Sequence, residues 1–101
     1  MAERDTLRAC MMYLAGTGVL CWRSNNTGIY SEKRGCHIFH GTKGVPDLIG
    51  VLPGGKFLGV ECKSDKGRQS DSQKEMQQRI EAAGGLYILA RTIDDLQKAG
   101  L

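Results

Sequence analysis

At 101 residues the chain has the length of one domain and no room for a second, and its 41% hydrophobic and 25% charged residues exclude wholesale disorder. The longest apolar stretches fall far short of the ~20 residues that cross a bilayer, and MAERDTLRAC lacks the apolar centre of a signal peptide, so the sequence predicts a cytoplasmic protein with no membrane association. A formal net charge of +3 points weakly to an anionic partner, and four cysteines without a C-x-x-C pair read as thiols, mostly in the core.

Leu7, Cys10, Met11 and Leu14 recur at helical spacing and predict an amphipathic helix over Glu3 to Ala15, ended by Gly16 and Gly18. VLCWRS (Val19 to Ser24) and CHIFH (Cys36 to His40) are rich in strand formers, and NNTGIYSEKRG between them reads as a loop. Two strands, Val45 to Leu52 and Phe57 to Lys63, flank the turn residues PGGK. After the polar KGRQSDSQ segment, a helix from Asp71 or Ser72 to Ala83 carries Met76, Ile80 and Ala83 as its buried stripe. LYILA (Leu86 to Ala90) is a short strand, and TIDDLQKAG is a closing helix with Thr92 as N-cap. The order α-β-β-β-β-α-β-α predicts an α+β or mixed α/β domain, a central sheet flanked by helices.

Alternation along the second hairpin strand sends Leu58, Val60 and Cys62 to one face and Phe57, Gly59, Glu61 and Lys63 to the other. Glu61 and Lys63 then sit about 6 to 7 Å apart beside a glycine. Whether Asp47 joins them depends on the turn. A two-residue turn at Gly54-Gly55 sets Asp47 opposite Cys62, facing away, whereas a loop of three or five residues sets it opposite Lys63 or Glu61. Cooperation of the three charges requires an odd loop or a bulge, and we expect one. Two carboxylates converging with a lysine offer hard oxygen ligands for Mg²⁺ or Mn²⁺ and a cation for phosphate, which suits phosphodiester hydrolysis.

PD at Pro46-Asp47 followed by ECK at Glu61 to Lys63 resembles the signature of the PD-(D/E)XK nuclease superfamily. WRSNNTG, GTKGVPDLIG, VECKSDKGRQSDSQKEMQQRIEAAGG and LYILARTIDDL narrow the resemblance to the virus-type replication-repair nuclease (VRR-NUC) family, in its small stand-alone phage and bacterial form, across nearly the whole chain. The resemblance implies a restriction-endonuclease-like core and a single nuclease domain over residues 1–101. It makes Asp47, Glu61 and the backbone carbonyl of Cys62 metal ligands and Lys63 the catalytic lysine, with Gln73 and Glu3 in support. It also places Arg23 with Asn25 or Asn26 near the scissile phosphate. The implied activity is a Mg²⁺- or Mn²⁺-dependent DNA endonuclease in repair, acting on four-way junctions as a homodimer, in host cytoplasm if phage-encoded and with no small-molecule cofactor. Each copy would cut one strand, since a domain this small offers one metal site.

Basic residues Lys33, Arg34, Lys43, Lys66, Arg68, Lys74 and Arg79 fall in loops beside this centre or on the following helix, and Lys43, Lys66 and Arg68 are the nearest candidates for holding DNA phosphates. Trp22 reads as core rather than as a base-stacking platform. A zinc site from Cys36, His37 and His40 is disfavoured because strand alternation separates the first two. A Cys62 nucleophile is disfavoured because its face is the core face. The rival readings are a non-catalytic nucleic-acid-binding module on the same fold, and a flap or nicking nuclease.

Overall fold

The computed structural model describes residues 1–24, 28–31, 33, 35–39 and 42–101. The elements are α1 (Glu3–Gly16), β1 (Leu20–Arg23), β2 (Gly28–Ser31), β3 (Cys36–Phe39), β4 (Leu48–Leu52), β5 (Lys56–Cys62), α2 (Asp71–Ala82), β6 (Leu86–Ala90) and α3 (Ile93–Lys98). A four-stranded mixed sheet runs in the order β1-β4-β5-β6, antiparallel except for the last, parallel pair, and β2 and β3 form a separate antiparallel ribbon.

Strand alternation gives the sheet two unlike faces. Leu48, Leu58, Val60, Cys62, Ile88 and Ala90 point to one side, where they pack with Cys10 and Leu14 of α1 and Leu96 of α3. Burying a leucine of this set contributes about 1.5–3 kcal/mol, and truncating fully buried Leu58 to alanine costs roughly 2–5 kcal/mol. Thr6, Cys10 and Leu14 follow one another at four-residue spacing, so α1 meets the sheet along a single stripe. Asp95 accepts hydrogen bonds from the backbone N–H groups of Arg91 (2.8 Å) and Thr92 (3.2 Å), which starts α3 where the sequence predicts it.

Three expectations are corrected. Residues 28–31, read as loop, form β2, because Ile29 and Tyr30 gain a partner strand in β3 that local composition does not reveal. Trp22, read as core, is 47% exposed: its row, Trp22 opposite Ile49 opposite Gly59, lies on the side away from α1 and α3. Met76 and Ile80 are only half-buried and Ala83 is exposed, because α2 leans over one part of that second face and leaves a groove of about 460 Å³ against Phe57 and Gly85.

Candidate active site

The geometry is set at the β4–β5 hairpin. Leu52 pairs with Lys56, so the connection is the three residues Pro53, Gly54 and Gly55, an odd loop as the site requires. Gly54 and Gly55 take φ of 85° and 82°, a region that other residues enter only at a cost. The ladder continues to Leu48 opposite Val60, and one further step sets Asp47 opposite Glu61 on the face away from the core.

Asp47 Oδ2 accepts a hydrogen bond from the backbone N–H of Cys62 at 2.8 Å, which fixes its carboxylate across the end of β5. The backbone carbonyl of Asp47 in turn accepts from the N–H of Ser24 at 2.9 Å, tying the segment to β1. Gly59 makes room for this bend, since a Cβ there would stand 2.8 Å from Pro46 Cγ.

Glu61 is 2% exposed, and among the described residues its buried Oε1 has no hydrogen-bond partner. Burial first, then a proton shared with Asp47 and the Asp47 charge, push its carboxyl up to about 9, against an opposing pull from Lys63. At neutral pH the metal-free pair therefore holds a proton. Lys63, 12% exposed at its side chain, places Nζ 3.8 Å from Glu3 Oε1, so the first turn of α1 reaches the site and Glu3 adds its charge to the carboxylate field. The Cys62 thiol lies in the core beside Cys10, and its pKa is raised by the Cys10 contact and by burial, which leaves it inert as a nucleophile.

Gln73 stands at the start of α2 as half of a capping box: its Oε1 accepts from Ser70 N–H at 2.9 Å while its own N–H donates to Ser70 Oγ at 3.2 Å. The adjoining Ser72 backbone packs against Gly44, where a Cβ has no space, so this helix start abuts the segment leading to Asp47. Lys43, Lys66 and Arg68 are exposed. Arg23 is exposed too, on the α1 side of β1. Asn25, Asn26, Arg34 and His40 lie outside the described residues, as do the side chains of Tyr30, Cys36 and His37.

Two supports escape the sequence reading. Tyr87, opposite Gly59 and buried on the Glu61 face, accepts a hydrogen bond from Gln69 Nε2 at 3.0 Å, and Gln69 also donates to Gln77 Oε1 at 2.9 Å. Burial, with smaller pushes from Glu61 and Asp47, raises the Tyr87 phenol to about 12. Arg91 Nη1 donates to the carbonyls of Ser64 (2.7 Å) and Gly67 (2.6 Å), with a longer contact to Asp65 (3.4 Å), and so pins the turn that follows Lys63. The alternation of LYILA could have flagged Tyr87. Arg91 carried no signal, because its acceptors are backbone atoms 24–27 residues away.

Among the described residues no three His, Cys, Asp or Glu side chains converge closely enough to hold a metal ion by themselves. The groups that could hold one are the Asp47 and Glu61 carboxylates, which face each other beside the Cys62 backbone. That suits Mg²⁺, which is commonly held by one or two carboxylates plus waters and substrate phosphate. An unpartnered oxygen on a desolvated carboxyl is what such a cation would satisfy.

The family model described as the VRR-NUC domain matches residues 18–93 of the 101, from the approach to β1 through the start of α3. No curated protein and no solved structure matches the chain.

Proposed function

Because the chain belongs to the VRR-NUC family, whose members are nucleases of the PD-(D/E)XK type, we propose that it is a metal-dependent, structure-selective DNA endonuclease. Its proposed role is that of a Holliday-junction resolvase working as a homodimer. The observation that carries this reading is the closed carboxylate pair, with Glu61 Oε1 buried and without a partner among the described residues and Lys63 alongside.

Asp47 and Glu61, with the Cys62 carbonyl, would hold Mg²⁺ or Mn²⁺, which when bound supplies a more acidic water and neutralises phosphate charge. The chain's own residues do the positioning. The hydrogen bond from Cys62 N–H locks the Asp47 rotamer before substrate arrives. Glu61, protonated without metal, would have to give up its proton to solvent to hold a cation. Lys63, held beside Glu3, presents an ammonium to the phosphate as negative charge builds on its oxygens. Arg91 keeps the chain after Lys63 from drifting. One carboxylate pair per chain supports a two-fold dimer for paired cuts across a junction.

The test is incubation of purified protein with labelled four-way junction, flap and linear duplex in Mg²⁺ or Mn²⁺, with Lys63→Ala alongside. Cleavage of the junction by the wild type, with Lys63→Ala slower by about 10² to 10³, is the expected result. Cleavage at comparable rates by both proteins, or by neither, rejects the mechanism, and a monomer by light scattering on junction DNA rejects paired incision.

A further inference from the structure

We propose that the groove between α1 and β1 is a second contact site for DNA, binding the phosphodiester backbone of the arm that flanks the cut. The groove, about 550 Å³, is lined by Arg4, Leu7, Arg8, Met11, Met12 and Arg23. Three of the six are arginines and none is an acid. The ion pairs among the described residues are Met1 with Asp65 and Lys63 with Glu3, so none of the three guanidiniums is paired with a carboxylate of a described residue.

The arrangement follows from the elements. At about 100° per residue, Arg4, Leu7, Arg8, Met11 and Met12 form a continuous strip centred roughly a third of a turn round α1 from the Thr6–Cys10–Leu14 core stripe. Arg4 and Arg8 lie one turn apart on that strip. Arg23 joins them from the strand side, because it pairs with core-facing Leu48 and therefore points toward α1. Arginine carries five donors and no acceptor in a planar fork that matches phosphate oxygens. Leu7, Met11 and Met12, the last 70% exposed, give the groove an apolar floor suited to sugar faces.

Position names the occupant. Arg4 follows Glu3, whose carboxylate is 3.8 Å from Lys63, and Arg23 precedes Ser24, whose N–H is bonded to the Asp47 carbonyl. Both walls of the groove thus begin at the proposed catalytic centre, and a strand leaving that centre meets the arginines next. The inference rests on the nuclease reading for that centre, but the contacts it assigns are to phosphate and carry no base preference.

The test measures equilibrium binding of a labelled four-way junction in EDTA by fluorescence anisotropy across 50–200 mM salt. It compares wild type, the double variant Arg4→Ala/Arg8→Ala and the double variant Arg4→Lys/Arg8→Lys, each checked for an unchanged melting profile. Loss of two phosphate contacts reduces the slope of log K against log salt by about 2, equally for junctions of unrelated sequence, and lysine restores most of it. An unchanged slope in the alanine variant, or a wild type that does not bind, overturns the proposal. Wild-type cleavage assayed in parallel separates the two readings. Cleavage with an unchanged slope removes the groove and leaves the nuclease. A reduced slope without cleavage keeps the groove and removes the nuclease.

Discussion

Replacing Glu61 with glutamine in the metal-free protein should stabilise it, although the residue is buried at the heart of the site. In the folded chain the carboxyl keeps its proton up to about 9, whereas unfolded it loses it near the ordinary value of 4.5. Between those limits the native state binds the extra proton, so its contribution is fully present below 4.5 and is lost as pH rises toward 9. At pH 7 the gap amounts to about 3 kcal/mol, an upper limit because local relaxation and water entry reduce it. For a domain of this size each kcal/mol moves the melting temperature by about 4–8 °C, and the roughly 4 kcal/mol spanned between pH 5 and pH 8 sets an upper limit of about 16–32 °C on the wild-type loss. Glutamine, neutral throughout and nearly isosteric, should match wild type at pH 5 and exceed it at pH 8. Adding Mg²⁺ or Mn²⁺ should close that difference from the wild-type side only, by mass action on the folded state. Calorimetric melting in EDTA at several pH values decides the matter. Parallel wild-type and Glu61→Gln curves, or a less stable variant at pH 8, would refute the idea that the carboxylate is held at a cost for a cation.

Other outcomes follow from the same geometry. Lys63→Ala should lower the cleavage rate by about 10² to 10³ while leaving junction binding nearly intact, as read from initial rates and anisotropy. Arg91→Ala should free the Ser64–Gly67 turn and destabilise by about 1.5–3 kcal/mol in chemical denaturation. Arg91→Lys should recover only part of this, because one ammonium reaches the two short carbonyl contacts less well than a planar fork. Gly59→Ala places a Cβ 2.8 Å from Pro46 Cγ; it should cost about 1–3 kcal/mol and reduce cleavage further than that loss explains, by displacing Asp47.

The meeting of Asp47 and Glu61 was legible because two short-range rules sufficed. Alternation fixed which side Glu61 faces, and the parity of the turn fixed whether Asp47 meets it. What stayed hidden depends on which surfaces cover which. Strand propensity marks Trp22 as part of a sheet but does not say that its side lacks a packed helix. The spacing of Met76 and Ile80 shows an amphipathic helix but not that it overhangs a groove. Ile29 and Tyr30 sit among Asn, Gly, Ser and Lys, a composition that hides a four-residue strand whose stability comes from its partner. Arg4 and Arg8 look like ordinary solvated charges on α1 until β1 brings Arg23 across from them.

The carboxylates meet through the β4–β5 ladder, not through the contour length of the chain between them. Pro53, Gly54 and Gly55 are exposed at the far end of that ladder, five residue pairs and roughly 17 Å from Asp47. Residues added there lengthen the loop without moving the register, which the buried leucines and valine hold. The tip is therefore a permissive insertion point, where a fluorophore-bearing peptide or an affinity handle could report on the protein in action from a distance.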